Sequence, residues 1–432
     1  MPEGSSAVVR DPGVRRRHRR RRVWLFVAAI ALLLLLDQLG VRRLSGADVP
    51  PGDPLAPTMR AHVEHLASPA LGGRVPGTKG NEDAARYIAQ QLETLGVPPL
   101  PSVGSYFMPI PTTRSGETLG DNVLGWVPGS DPTSTEALLV GAHFDHLGNT
   151  EDGLVLGADD NAAAVAVLLA AAPAVRALRL SHPVIFAFFN TEEAPWFGLP
   201  TQGSVRFADA PPREVGALSS LRLAVILDLV GGVVWRSSAD TLFACGAEKT
   251  SGLGALVDGT HEEGLSVRRM GLHLVENLPG YRPQPVSDYD VFRDRQVPFL
   301  FLSSGRTPRY HKPSDLPDTL HYDRMARTAR WIASLLASVD GQQAPLRFTP
   351  AGADLPTDAE TMHWAMDAAA TPWRSIPGTG PISAARLLGD RARVKALLEP
   401  GHTFTSEDEL SLERASFRLQ CLLYSFPVCF TF

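Results

Sequence analysis

The sequence predicts an α/β fold: a three-layer, doubly wound, mostly parallel sheet with helices on both faces, preceded by an N-terminal transmembrane helix and followed by a small helical C-terminal region. Three observations predict it. Fully apolar runs at His182–Asn190, Leu223–Leu229 and Val297–Leu302 have the character of strands buried on both faces. Segments of helical period alternate with them. The polar residues able to do chemistry fall at the ends of these runs, where open parallel sheets bind their ligands.

Taken in order, residues 1–22 are basic, with eight Arg between Arg10 and Arg22. An apolar run of 14 residues from Val23 to Leu36 follows, and Asp37 to Gly40 extend it, at residues 23–40, close to the length of a bilayer helix. The uninterrupted run has the length of a signal-peptide core, but no small-x-small cleavage site is obvious. The reading is therefore an uncleaved signal anchor, with secretion after cleavage as the alternative. The Arg cluster keeps the N-terminus cytoplasmic and the bulk of the chain is exported. Residues 41–57, containing SGADVPPGDPLAP, are a Pro-rich spacer holding that bulk off the membrane.

The main domain spans residues 58–340. Met59–Leu66 shows helical spacing, GGRVPGTKG at Gly72–Gly80 reads as an exposed loop, and Asn81–Leu95 places Ala84, Ala85, Ile88, Leu92 and Leu95 on one helical face. Strand-like runs follow at Asn122–Val127 and Ala137–Ala142. Ala162–Leu178 is apolar on nearly all sides, as expected of a helix buried between a sheet and other helices. A second spacer, residues 341–357, closes the domain, and residues 358–432 read as short helices and turns.

Composition narrows the function. With 432 residues and 44% hydrophobic content the chain is not disordered. It carries 41 Lys and Arg against 46 Asp and Glu, and the basic charge is local to the N-terminus, so the acidic main body offers no nucleic-acid face. Of three Cys, Cys421 and Cys429 can pair in an oxidising compartment, but with Cys245 they do not make a disulfide scaffold.

Singly, the strand-end residues have ordinary roles: a lone His hydrogen-bonds in a loop, and an adjacent Glu pair belongs to a solvated turn. Asp228 is different, because a carboxylate inside LAVILDLV is costly to bury without a cation. Together, His143 and Asp145, Asp159 and Asp160, Glu192 and Glu193, Asp228 and His311 supply the donors of a zinc site without thiolates. They suffice for two metals sharing one bridging carboxylate, an arrangement used for hydrolysis. One of the paired glutamates can bind metal while its neighbour takes a proton from the attacking water.

The order HFDH, GADDN, NTEEAPWFG followed by Gly203 and Ser204, ILDLVG, SDYDVF and YHKPSD resembles the two-zinc aminopeptidase family, clan MH, which includes glutamate carboxypeptidases and the transferrin-receptor ectodomain. GGRVPGTKGNEDAARYIAQQL and DNVLGWVPG are similar to that family's lead-in, so the resemblance runs from Met59 to Leu336. It implies a zinc aminopeptidase-like fold and two zinc ions bridged by Asp160. His143 and Asp228 would complete one site, and Glu193 and His311 the other. Glu192 would be the general base. Asp145 would fix the His143 imidazole, Asp159, Asp288 and Asp315 would support the site, and Tyr310 would hydrogen-bond the tetrahedral intermediate. The implied substrate is a peptide or small amide cleaved at its N-terminal bond.

One departure follows the bridging residue: where many relatives have a Ser-Gly pair, this chain has Asn161 and then Ala162 to Ala164, still small enough for a helix to approach the sheet. Two alternatives share the fold, a single-zinc glutaminyl-cyclase-like acyltransferase and an inactive receptor-like ectodomain. Filled ligand positions argue against the second. In the tail, IPGTGPISAARLL at Ile376–Leu388 and HTFTSEDEL at His402–Leu410 resemble a helix-hairpin-helix module. Its basic residues are diluted by Asp390, Glu399, Glu407, Asp408 and Glu409, so a degenerate helical cap is expected there. Nucleic acid is not expected as a partner. The apolar terminus LQCLLYSFPVCF is expected to pack on a neighbouring surface.

Overall fold

A computed structural model of the chain describes residues 52–112, 118–276, 284–370 and 381–424. The basic segment, the signal anchor, the glycine-rich hairpin of the tail and Cys429 lie outside the described residues. The eight strands of the main sheet are β1 (Phe107–Pro111), β2 (Thr118–Val127), β3 (Ala137–His143), β4 (Val184–Phe189), β5 (Leu221–Leu227), β6 (Thr241–Cys245), β7 (Ser266–Met270) and β8 (Phe299–Ser303). Their spatial order is β1-β2-β4-β3-β5-β8-β6-β7. The central strands β4, β3, β5 and β8 run parallel, and β6 pairs with β7 in parallel as well. Antiparallel pairing joins β1 to β2, β2 to β4 and β8 to β6, so the sheet is mixed at its flanks.

The centre is parallel because its strands are apolar on both faces. In β3, Leu138, Val140 and Ala142 enter one core cluster while Ala137 and Leu139 enter the cluster on the opposite face. The first face is covered by α1 (Ala56–Leu66), α2 (Lys79–Thr94), α3 (Ala163–Leu178) and α4 (Tyr322–Asp340). The segment Ala158–Leu178, α3 with the turn before it, is apolar and long enough to cross a membrane, but most of it is buried against the sheet and its companion helices. Phe207, Tyr289 and Phe292 from short helices cover the second face. Strands β1, β6 and β7 were not evident in the sequence. They are five residues each, and every residue of β7 (SVRRM) is only half-buried, so no apolar run marks it.

The C-terminal region departs from the sequence expectation. It holds α5 (Leu355–Ala370), α6 (Pro381–Ala396) and α7 (Ser406–Tyr424), of 16, 16 and 19 residues, rather than short helices. Residues 341–357 are not a free spacer either: Arg347 and Phe348 pair antiparallel with Ser251 and Thr250, and α5 begins within them. The helices share a core with the main domain, where Met362, Met366 and Leu412 meet Trp235 and Leu274. His273 joins both ends of this seam, with Nε2 3.0 Å from Asp358 Oδ2 on α5 and Nδ1 3.1 Å from Glu413 Oε1 on α7.

Candidate metal centre

Strand β3 ends on His143, and the following loop carries Asp145 and His146. The chain enters β4 on one side of β3 and later β5 on the other, so the crevice at these carboxyl ends is a topological switch point. Glu192 and Glu193 follow β4. Asp228 is the first residue beyond β5 rather than within it, and its N–H donates to Leu302 O on β8 at 3.0 Å. Asp159 and Asp160 occupy a wide turn, Ala158–Ala162, just before α3, with a cis peptide between Asp160 and Asn161. Tyr310, His311 and Asp315 lie on the loop after β8. Thr191, Leu229 and His311 all have left-handed backbone, at φ of 58°, 56° and 56°, each at or beside a donor residue.

The five expected ligands converge. His143 Nε2 is 3.4 Å from Asp160 Oδ1 and 3.7 Å from Asp228 Oδ2. On the other side of Asp160, its Oδ2 is 3.2 Å from His311 Nε2, which is 3.3 Å from Glu193 Oε2. Glu192 Oε2 faces the first half, 3.7 Å from His143 Nε2. Two donor clusters are therefore close enough to hold cations: His143 with Glu192 and Asp228, and His146 with Asp160 and Glu193.

These residues fit zinc. Tetrahedral zinc with bonds of about 2.0 to 2.1 Å separates its nitrogen and oxygen donors by roughly 3.3 to 3.4 Å, and the spacings around Asp160 match. His143 Nε2, His311 Nε2 and Asp228 Oδ1 are also buried without a hydrogen-bond partner, a costly state for nitrogens and oxygens that have no cation to meet.

The supporting residues hold backbone more than side chains. Asp145 accepts the N–H of Glu192 on Oδ1 and of Glu193 on Oδ2, both at 3.1 Å, and so aims the paired glutamates. Its expected grip on His143 comes chiefly through the main chain: His143 Nδ1 lies 3.3 Å from Asp145 O and 3.7 Å from the carboxylate. Asp315 accepts the N–H groups of Asp159 and Asp160 at 2.9 and 3.2 Å. Asp159 turns away from the donors to accept from Gly231 and Gly232, each at 2.8 Å. Gly232 has no alternative, since a Cβ there would collide with Asp159 Oδ2. Asp288 accepts from Gln202 at 2.9 Å and from Ser204, behind Glu192. Tyr310 stacks on His311 with ring centroids 3.7 Å apart.

The crowding of carboxylates shows in their acidities. Burial, reinforced by the charges of Asp288, Glu193 and Asp228 and opposed by His143, lifts the Glu192 carboxyl well above its ordinary range. Burial and then Asp315 push Asp159 up to about 7. Asp160 goes the other way: burial opposes ionisation, but His146, His143 and His311 together hold it well below the usual carboxylate range.

Two residues of the site escaped the sequence reading. His146 Nδ1 is 2.6 Å from Glu193 Oε1, opposite the Oε2 that faces His311; its signal was present as the last letter of HFDH. Arg74, expected in an exposed loop, is fully buried. Its guanidinium donates to the carbonyls of Phe144 and Leu66 at 2.6 Å, Leu156 at 2.7 Å and Gly157 at 3.0 Å, clamping the two backbone segments that carry His143 and Asp160. GGRVPG looks like a turn because glycine and proline dominate it, and nothing local shows where its arginine goes.

Residues 122–336 match peptidase family M28. The domain belongs to that family. This makes it a hydrolase of the zinc-dependent peptidase type, as the resemblance implied. The chain is 25% identical over 220 residues to YfbL of Escherichia coli (strain K12), an uncharacterized protein, covering 48% of this chain and 68% of that one. Among solved structures, LapB from Legionella pneumophila superposes with a TM-score of 0.51 at 18% identity, over 66% of this chain and 72% of its own. LapA from the same organism gives 0.50 at 15% identity, over 66% and 73%. At these identities the superpositions establish the M28 fold.

Proposed function

We propose that this M28 domain is an aminopeptidase, exported and held at the membrane by the N-terminal segment, that hydrolyses N-terminal peptide bonds with two zinc ions. The observation that carries the reading is the setting of Asp160, whose two oxygens face different histidines at 3.4 and 3.2 Å. In this reading Asp160 would serve both ions, His143 and Asp228 would complete one position, and Glu193 and His311 the other. Zinc bound there would polarise the scissile carbonyl and acidify water.

The chain's own groups supply the rest. Glu192, its main chain pinned by Asp145, accepts the proton of the attacking water and returns it to the leaving amine. Tyr310, stacked on His311, would hydrogen-bond the tetrahedral intermediate. Asp145 and Asp315 keep the backbone around these groups in register.

The decisive experiment combines metal analysis with turnover of aminoacyl chromogenic substrates. Glu192→Gln should lower kcat by roughly 100-fold or more while the protein retains about two zinc ions per chain. Near-wild-type turnover by Glu192→Gln would remove the assigned base. One zinc per chain in the wild type would favour the cyclase-like acyl transfer instead.

A further inference from the structure

Behind the paired glutamates lie three buried asparagines from three different elements: Asn81 of α2, Asn122 of β2 and Asn190, the first residue beyond β4. Asn81 and Asn190 form a reciprocal amide pair, each Nδ2 donating to the other's Oδ1 at 2.9 Å. Asn122 Oδ1 accepts the N–H of Asn190 at 3.0 Å, and its Nδ2 donates to Gly203 O at 2.8 Å. Two glycines make room for the group. A Cβ on Gly120 would collide with both amides of the pair, and one on Gly203 with Asn122 Oδ1.

The pair faces the chain at its most strained point. Thr191, the residue before Glu192, is β-branched and yet left-handed at φ 58°, a conformation that persists only where its surroundings hold it. Asn190 Oδ1 accepts the Thr191 N–H at 2.9 Å, and Thr191 Oγ1 donates to Thr201 O at 2.7 Å. Asp145 grips the next two N–H groups from the metal side. The loop is therefore held from both sides. The hold also extends outward, because Asn81 Nδ2 donates to Arg74 O at 2.9 Å, and the Arg74 guanidinium binds the carbonyls of Phe144 and Gly157. One unbroken line of buried hydrogen bonds thus joins the segments carrying His143 and Asp160 to the loop carrying Glu192. A buried polar network that is fully paired specifies a single geometry.

We infer that Asn190 and Asn81 are positioning residues for the reaction: their amide pair sets where Glu192 stands relative to the metal-binding loops. The inference rests on the reading of Glu192 as general base. Neither asparagine touches substrate or metal; each acts through Glu192.

The test uses the full chain and aminoacyl-p-nitroanilides. Asn190→Ala should lower kcat by about 10- to 100-fold, the cost of a base displaced by about 1 Å, with KM and zinc content close to wild type. In a Glu192→Gln background the same substitution should cost nothing further, since no base remains to be positioned. Wild-type kcat in Asn190→Ala, or an equal loss in both backgrounds, would overturn the inference. Asn81→Ala leaves the acceptor of the Thr191 N–H in place; it is the milder change should Asn190→Ala misfold, and should show a smaller loss that also vanishes in Glu192→Gln. Amide hydrogen exchange gives a readout independent of turnover. Both variants should exchange faster at residues 191–193 than wild type, by about tenfold or more in Asn190→Ala, with the rest of the sheet unchanged. Unchanged exchange there would equally overturn the inference. If no aminoacyl substrate is cleaved, or Glu192→Gln is fully active, the reading of the site fails by itself, and exchange still decides the amide pair.

Discussion

Replacing Arg74 by Met should uncouple the metal-binding loops from each other, and the size of the effect can be worked from its contacts. Four buried carbonyls lose a charged donor: Phe144, which sits between His143 and Asp145, Leu156 and Gly157, which lead into Asp160, and Leu66 at the end of α1. Gly157 O keeps the N–H of Ala162 at 3.4 Å; at the lower part of the range for a buried acceptor left unpaired, the other three together cost ~3 to 6 kcal/mol. Against this, the variant no longer buries a guanidinium. Burial lowers the Arg74 pKa from 12.5 to about 10 despite the nearby charges of Asp145, Asp160, Asp315 and Glu193. That shift corresponds to ~3 kcal/mol returned on substitution. The net loss is then up to ~3 kcal/mol, within the stability of an ordinary domain. Urea denaturation followed by circular dichroism reads the stability, and competition with a zinc chelator reads the site. Arg74→Met should shift the unfolding midpoint down and weaken zinc retention by about tenfold or more. Arg74→Lys, which keeps the charge but not the planar fork, should fall between the two proteins. A midpoint and a zinc affinity both equal to wild type would refute the clamp.

Other expectations follow from single contacts. Asp315→Asn weakens the acceptor for the N–H groups of Asp159 and Asp160, so zinc affinity should drop about 10- to 100-fold with little change in melting temperature; an unchanged chelator competition curve would count against it. His146→Phe removes the donor 2.6 Å from Glu193 Oε1, and kcat should fall with KM nearly constant, whereas unaltered kinetics would make His146 a packing residue only. His273 is held at a pKa of about 9, above the ordinary 6.5, because its hydrogen bonds to Asp358 and Glu413 outweigh the opposing effect of burial. The protonated form is the one stabilised by folding, so the contribution, at most ~3 kcal/mol, is complete below about pH 6.5 and is lost as pH rises through about 9. The difference in melting temperature between wild type and His273→Gln should therefore shrink from pH 6 to pH 10, and a constant difference would exclude the staple.

What the chain shows on its own is what depends on neighbours in sequence. The apolar runs that become β3, β4, β5 and β8, and the helical period of α2, are local patterns of burial. The polar residues that interrupt them stand out for the same reason: Asp228 immediately after LAVIL is expensive to bury, and His143, Asp160, Glu192, Glu193 and His311 sit where strands end. The five ligand candidates and the central sheet were legible from this. The short flanking strands were not, because a half-buried edge such as SVRRM leaves no apolar run. Nor was the choice of which Asp160 oxygen faces which histidine, since His143 and His311 meet it only through the crossover of β3 and the loop after β8. Arg74 spends its charge on carbonyls up to 83 positions away, and the tail helices reach Leu274 across 142. Contacts of that separation depend on which faces the sheet order brings together. Periodicity and composition determine that this chain folds as a layered α/β protein with metal-binding donors at its strand ends. Only the packed tertiary structure decides which oxygen faces which imidazole.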